Sequence, residues 1–304
     1  MIRDELEKKM RSRNKDIKLQ VQAHNVFLIS ELSKILSAFG EGNIHALIMK
    51  GTGLLETLYK KGFSRPMYDL DILVKKKDLK RAEECLIQLG YHFLSYNGGN
   101  HKTYCKEKPL FIPVEVHWDL FKKNNPLQRY AFQIDTEDFW KNALPIKING
   151  VIAQIMSPEN LIIYLACHLL KESYSHQKWF IDIDRIIRHY KKDMDWGKVL
   201  EKAEKYKVKV PIWYALSYIY KFYDTPLPEG LLKDLTPKRL NWWQNGIAKR
   251  IFCDKPLQKW HLLPLYMSAI KTAKDRRRAF IKLFPYLFNT APNFPLSWRG
   301  KERI

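Results

Sequence analysis

The feature that most limits the fold is a change of pattern at Ser157. Before it, short apolar runs alternate with glycine-bounded turns. After it, apolar residues recur at helical spacing over most of the chain. Ser157-Pro158-Glu159 marks the change with an N-cap residue, a proline in the first turn and an acid at the positive end of the helix dipole. A chain divided in this way reads as two domains. The first, over 1–156, mixes strands and helices and includes an N-terminal helix. The second, over 157–304, is all helical. The expected class is α+β, a mixed β-sheet with flanking helices followed by an all-α domain.

In the first half, Val21, Phe27, Leu28, Leu32, Ile35, Leu36 and Phe39 recur at helical spacing, and Gly40 and Gly42 close that helix. The charged residues 1–18 read as an exposed helix or a frayed arm. IHALIMK reads as a short buried strand, followed by a Gly51-Thr52-Gly53 turn and the short helix LLETLYKK, closed by Gly62. YDLDILV is the next strand, and a helix runs over about 78–89. Two strands flank Asn97-Gly98-Gly99-Asn100. In LFIPVEVHWDLF, Pro113 suggests a bulge or an edge position. Asn149-Gly150 inside PIKINGVIAQIM suits a two-residue hairpin turn at positive φ. The second half reads as helices over roughly 158–172, 177–191, 195–206, 210–223, 228–234, 237–251 and 260–284, then an irregular tail.

The chemistry concentrates in residues 50–74. Residues two apart on a strand face the same way, so Asp69 and Asp71 present two carboxylates side by side. Like charges held this close repel, and a divalent cation removes the penalty. Paired hard oxygen donors suit magnesium, which also takes phosphate oxygens and water. Two solvated aspartates on an exposed edge are the alternative, although aspartate is a poor strand former. Gly51-Thr52-Gly53, between a strand and a helix, lets backbone N–H groups approach phosphate oxygens. Its spacing is not that of a Walker loop, and many such turns use glycine for geometry alone. Glu115 offers a third carboxylate or, alternatively, a partner for a lysine. His117 shares its face and reads as a structural neighbour rather than a ligand. Lys50 and Arg65 flank the glycines and would neutralise phosphate charge, unless they are solvated or structural.

Charge and composition narrow the function classes. Fifty-three basic residues against 32 acidic give a formal charge of +21, which attracts nucleotides, nucleic acid or acidic surfaces. The charge-free stretches 160–170 and 210–220 are shorter than the roughly 18 apolar residues that a membrane-spanning helix needs. MIRDELEKKMRSRNKD lacks the apolar core of a signal peptide, so the expected location is cytoplasmic. Cys85, Cys105, Cys167 and Cys253 are scattered without zinc-ligand spacing and read as reduced thiols.

These residues resemble the nucleotidyltransferase superfamily, with its DNA polymerase beta-like fold. More closely, they resemble the bacterial family labelled uncharacterised nucleotidyltransferase. The likeness rests on Lys50-Gly51, on Arg65 ahead of DLDILV, and on Glu115-Val116-His117-Trp118. Further on it rests on ACHLL at 166–170 and WFIDIDRII at 179–187. It covers about 45–200. The chain departs from the superfamily in having Gly51-Thr52-Gly53 where Gly-Ser or Gly-Gly is usual, and in a longer span from Gly51 to Asp69.

The resemblance implies that Asp69 and Asp71 hold two magnesium ions, with manganese as the alternative ion, and that Glu115 binds one of them. Such ions lie roughly 3.5–4 Å apart. Lys50, Gly51, Thr52, Gly53 and Arg65 would bind the nucleotide, ATP first among the NTPs. An acceptor hydroxyl on a small molecule, a protein or an RNA would attack the α-phosphorus and release pyrophosphate, with Glu115 a candidate for accepting its proton. The competing expectation is a protein that keeps this fold without catalysis, binding nucleic acid or acting in an antitoxin-like way. His176, Trp179, Asp182 and Asp184 are candidates for lining a nucleotide cleft, with structural roles favoured. His168 and Trp242-Trp243 read as core or interface. The basic segment KTAKDRRRAFIKLFPYLF reads as a solvated helix, or as a surface for nucleic acid or anionic membrane.

Overall fold

The computed structural model of the protein describes residues 2–59, 65–96, 99–123, 125–172, 174, 176–236, 274 and 276–278. The chain divides into two compact units. One comprises 1–96, 101–120 and 136–157; the other comprises 97–100, 121–135 and 158–304.

In the first unit, α1 (Ile2–Glu41) extends the expected helix back through the charged N-terminal residues. Its buried stripe is Leu28, Leu32, Ile35, Leu36 and Phe39, the residues at helical spacing. Beyond α1, Asn43 takes a positive φ of 50°, and the chain enters the three-residue β1 (Ala46–Ile48). Then come α2 (Lys50–Leu58), β2 (Leu70–Val74), α3 (Leu79–Gln88), β3 (His92–Tyr96), β4 (His101–Lys106) and β5 (Ile112–His117). After α4 (Pro126–Ala131), which belongs to the second unit, follow α5 (Thr136–Lys141), β6 (Leu144–Ile148) and β7 (Val151–Ile155). The sequence pattern gave no sign of α4 and α5, each only six residues long.

The strands form one seven-stranded sheet in the order β3-β4-β5-β2-β1-β7-β6. It is mixed: β2 runs parallel to β5 and β1 parallel to β7, while the remaining neighbours are antiparallel. The central β1 and β2 are buried at every position, and the edge strand β3 is largely exposed. That gradient explains why ALI and LDILV are nearly all apolar, and it makes Asp71 the exception to be explained. The Asn149-Gly150 turn has the expected positive φ at both residues, 45° and 92°.

Of the two expectations for Pro113, the edge position holds locally and the bulge does not occur. The proline lies inside the sheet, opposite Cys105 of β4, and the β4–β5 register runs through it without a bulge. It is tolerated because β2 pairing begins only at Val114, opposite Leu70. At Pro113 the strand therefore has one neighbour, and the missing N–H breaks no β2 bond.

In the second unit, α6 (Pro158–Lys171) is buried at every position from Pro158 to Leu170, as expected of a helix apolar on all sides. Around it pack α7 (Gln177–His189), α8 (Trp196–Lys205) and α9 (Lys209–Tyr223), and α10 (Leu231–Leu235) packs on α9. Side-chain hydrogen bonds add to this packing. Lys202 Nζ donates to Asn160 Oδ1 at 2.8 Å, and the Asp195 side chain caps α8 by accepting from Lys198 N at 3.0 Å. The helices expected over 237–251 and 260–284, Trp242-Trp243 and the tail lie outside the described residues, apart from helical positions at 274 and 276–278. Among the described residues no helix is long and apolar enough to cross a membrane.

Candidate functional site

Parallel pairing of β2 with β5 places Asp71 directly opposite Glu115. On the other side of β5, β4 places Thr103 opposite Glu115 and His101 opposite His117. Alternation along each strand then brings Asp71, Glu115, His117 and His101 to one face of the sheet. Asp69 comes from the residue immediately before β2 rather than from within the strand as expected, and it is half-buried. The expected convergence nevertheless occurs: Asp69, Asp71 and Glu115 each offer a carboxylate oxygen, and these oxygens lie within 4.8 Å of one another.

Three buried or half-buried carboxylates need positive neighbours. Lys50, at the start of α2, sets its Nζ 3.0 Å from Asp71 Oδ2. His117 Nε2 lies 3.2 Å from both Asp71 Oδ1 and Glu115 Oε2, and His101 Nε2 lies 3.8 Å from Glu115 Oε2. The two imidazole rings face each other with centroids 4.7 Å apart. Burial pushes the Asp71 pKa up, but the Lys50 charge and the His117 contact outweigh it and hold the carboxyl well below its ordinary range. For Glu115 the same contest between burial and His117 also ends below the ordinary value. Burial opposes charge on His117, yet hydrogen bonds to Asp71 and Glu115 hold its pKa above the usual value.

The glycine segment is a correction. Gly51, Thr52 and Gly53 do not form a turn ahead of a helix; they are the first turn of α2, which begins at Lys50. Lys50 has a φ of +22°, an uncommon conformation for a non-glycine residue, of the kind that clusters at functional sites. Met49 gives α2 no side-chain cap, and its own N–H is held by Asp71 O at 3.1 Å. The start of α2 is thereby fixed against β2.

The two glycines do different jobs. A Cβ on Gly51 would sit 3.0 Å from Met67 Sδ and 3.2 Å from Arg65 Nη1, whereas one on Gly53 would sit 3.1 Å from Ile155 Cγ2. Gly51 thus admits the Arg65 guanidinium, and Gly53 admits β7. Arg65 is buried, and its carbonyl accepts from Asn25 Nδ2 of α1 at 2.8 Å.

The remaining candidates lie in the second unit. His168 is buried between Tyr164 and Trp179, with ring centroids 5.8 and 4.3 Å away. Asp184 accepts from Arg188 Nε at 2.7 Å and from Thr225 Oγ1 at 2.6 Å, while Arg188 also donates to the carbonyl of Tyr223. That network ties α7 to the end of α9. Trp179 and Asp182 are both buried on α7.

Sequence reasoning missed His101 and the bridging position of His117. The alternation in VEVH already put His117 on the face of Glu115. His101 had no local signal, because its place depends on how β4 pairs with β5.

Comparison with known proteins gives a consistent assignment. No curated protein matches the chain in sequence. Among solved structures, an antigenic nucleotidyltransferase-like protein from Paracoccidioides brasiliensis is 16% identical, with a TM-score of 0.43 over 68% of this chain and 92% of that one. ANT(2'')-Ia in complex with adenylyl-2''-tobramycin is 15% identical, with a TM-score of 0.40 over 63% of this chain and 98% of that one. These likenesses are loose, and the assignment rests on sequence. The family model described as uncharacterised nucleotidyltransferase matches residues 2–224, a span that takes in the whole sheet, the acidic cluster and the helices through α9. The chain belongs to the uncharacterised nucleotidyltransferase family.

Proposed function

We propose that the chain is a magnesium-dependent nucleotidyltransferase that moves a nucleoside monophosphate from an NTP, ATP first, to an acceptor hydroxyl and releases pyrophosphate. The observation that carries this reading is the convergence of Asp69, Asp71 and Glu115, whose oxygens lie within 4.8 Å of one another. The donor set fits magnesium or manganese, being all oxygen and drawn from three carboxylates. Asp69 and Asp71 would hold the metal pair, with Glu115 joining one ion. Such a pair, when bound, stabilises the charge on the attacking and leaving oxygens.

The chain's own groups supply the rest. The N–H groups of Gly51, Thr52 and Gly53 open α2 and favour an anion at the helix N-terminus. Lys50 and Arg65 add two cations beside that helix start, suited to triphosphate charge. Glu115, whose pKa His117 helps to hold below the ordinary value, would be the candidate to take the acceptor proton. We take residues 1–156 as the catalytic domain and 157–304 as a helical domain. The acceptor class stays open among small molecules, proteins and RNA.

The test is incubation of the protein and a cell extract with each α-labelled NTP, plus magnesium or manganese. Label should pass to an acceptor with one NTP preferred, and transfer should disappear in Asp69→Asn and in Asp71→Asn. RNA binding that is strongly salt-dependent, indifferent to Asp69→Asn and unaccompanied by transfer would instead support a non-catalytic nucleic-acid-binding role.

A further inference from the structure

The three carboxylates leave two buried histidines beside them unexplained. His101 and His117 face each other across β4 and β5, and Glu115 lies two residues before His117 on the same face. Each of the three offers one ligand atom, and these atoms lie within 4.8 Å of one another. From Glu115 Oε2 the distances are 3.2 Å to His117 Nε2 and 3.8 Å to His101 Nε2. Donors about 2.0–2.2 Å from a zinc ion at tetrahedral angles stand roughly 3.4 Å apart, so the observed spacings bracket that value.

We propose that His101, Glu115 and His117 form a transition-metal site, distinct in donor chemistry from the all-oxygen set and sharing Glu115 with it. Two imidazoles and one carboxylate suit zinc, manganese or cobalt, whereas magnesium prefers oxygen donors and keeps its water. The site is rigid, because all three ligands stand on paired strands in the interior of the sheet. Both histidines are almost fully buried, at 6% and 5% exposure, so their ring nitrogens are largely withdrawn from bulk water. The inference rests on the proposed function only for what such an ion would do, not for its binding.

The experiment uses the full chain freed of metal. Cobalt(II) is titrated in millimolar magnesium, which fills the oxygen set, and binding is read from visible absorption. One tightly held cobalt is expected. His101→Gln should weaken it at least about tenfold, and Asp69→Asn, which leaves all three donors in place, should not. X-ray absorption of the zinc-loaded wild-type chain should show two imidazole ligands, a readout that does not depend on any variant folding. The proposal is overturned if the wild-type spectrum lacks imidazole scattering. It is also overturned if His101→Gln binds cobalt as tightly as wild type, or if Asp69→Asn loses it to the same extent. Absence of label transfer alongside an intact imidazole-bound ion would remove the catalytic reading and leave this site standing.

Discussion

Gly51 and Gly53 separate contact with Arg65 from packing against β7 at the scale of single atoms. In Gly51→Ala, the added methyl meets the end of the Met67 side chain, which can move, and the Arg65 guanidinium, which is held in a buried position. Alanine also gains about 1 kcal/mol of helix propensity over glycine, which offsets the crowding. The expected outcome is a melting temperature close to wild type with nucleotide affinity reduced about tenfold, the size of one lost charge-assisted hydrogen bond. Fluorescence titration with an ATP analogue measures it. Unchanged affinity would show that Arg65 plays no part in binding. In Gly53→Ala the methyl meets Ile155 of β7 instead, at 3.1 Å. There the expected effect is on stability, a net loss of up to about 2 kcal/mol, since overpacking of about 1–3 kcal/mol is offset by the same propensity gain of about 1 kcal/mol; denaturant unfolding reads it.

At the scale of elements, α1 is tied to the sheet by one buried acid. Glu31 is 3% exposed. It accepts from Lys34 Nζ at 2.5 Å, from Tyr91 Oη at 3.1 Å and from Lys106 Nζ, at the end of β4, at 3.3 Å. Burial raises its pKa, but Lys34, Lys106 and Tyr91 together bring it below the ordinary value. A folded-state pKa below the unfolded one adds stability above the unfolded pKa and loses it as pH falls through the folded value. Glu31→Gln should therefore cost about 1–3 kcal/mol near neutral pH, and the difference from wild type should shrink once the pH falls below the usual carboxylate range. Urea unfolding of both proteins at a series of pH values checks the sign. A gap that widened in acid would contradict it.

Elements with a local cause were legible in sequence. Leu28, Leu32, Ile35 and Phe39 marked α1 by spacing, Asn149-Gly150 marked its hairpin by backbone preference, and Ser157-Pro158-Glu159 marked the start of α6. Pairing was not legible. Pro113 narrowed its place to an edge or a bulge, but nothing local says that β2 begins pairing only at Val114. The Gly51–Gly53 stretch read as a turn because glycines disfavour helices on average; their close neighbours, Arg65 and Ile155, are remote in sequence. For the same reason Asp69, Asp71 and Glu115 were readable as a set, each lying on a strongly patterned apolar segment, while His101 was not.

At the scale of the whole molecule, the excess of 53 basic over 32 acidic residues acts through long-range attraction rather than contact. Under the proposed function, an incoming nucleoside triphosphate would feel the summed charge at distances set by the screening length, which falls from about 30 Å at 0.01 M salt to about 8 Å at 0.15 M. Once bound beside Lys50 and Arg65, it would be held by short, partly buried contacts that salt screens far less. The two steps should therefore respond differently to added salt. Raising the salt from about 0.01 M to about 0.15 M should slow association of a fluorescent ATP analogue roughly tenfold while leaving its dissociation rate within about twofold. Stopped-flow mixing separates the two rates. If dissociation carries the salt effect instead, the phosphate contacts are exposed ones, and the placement of nucleotide beside the buried Arg65 is wrong. Substituting Lys50 with Met adds the local comparison: losing one cation at the site should speed dissociation at every salt concentration, while the salt dependence of association, set by the remaining charge of the chain, persists.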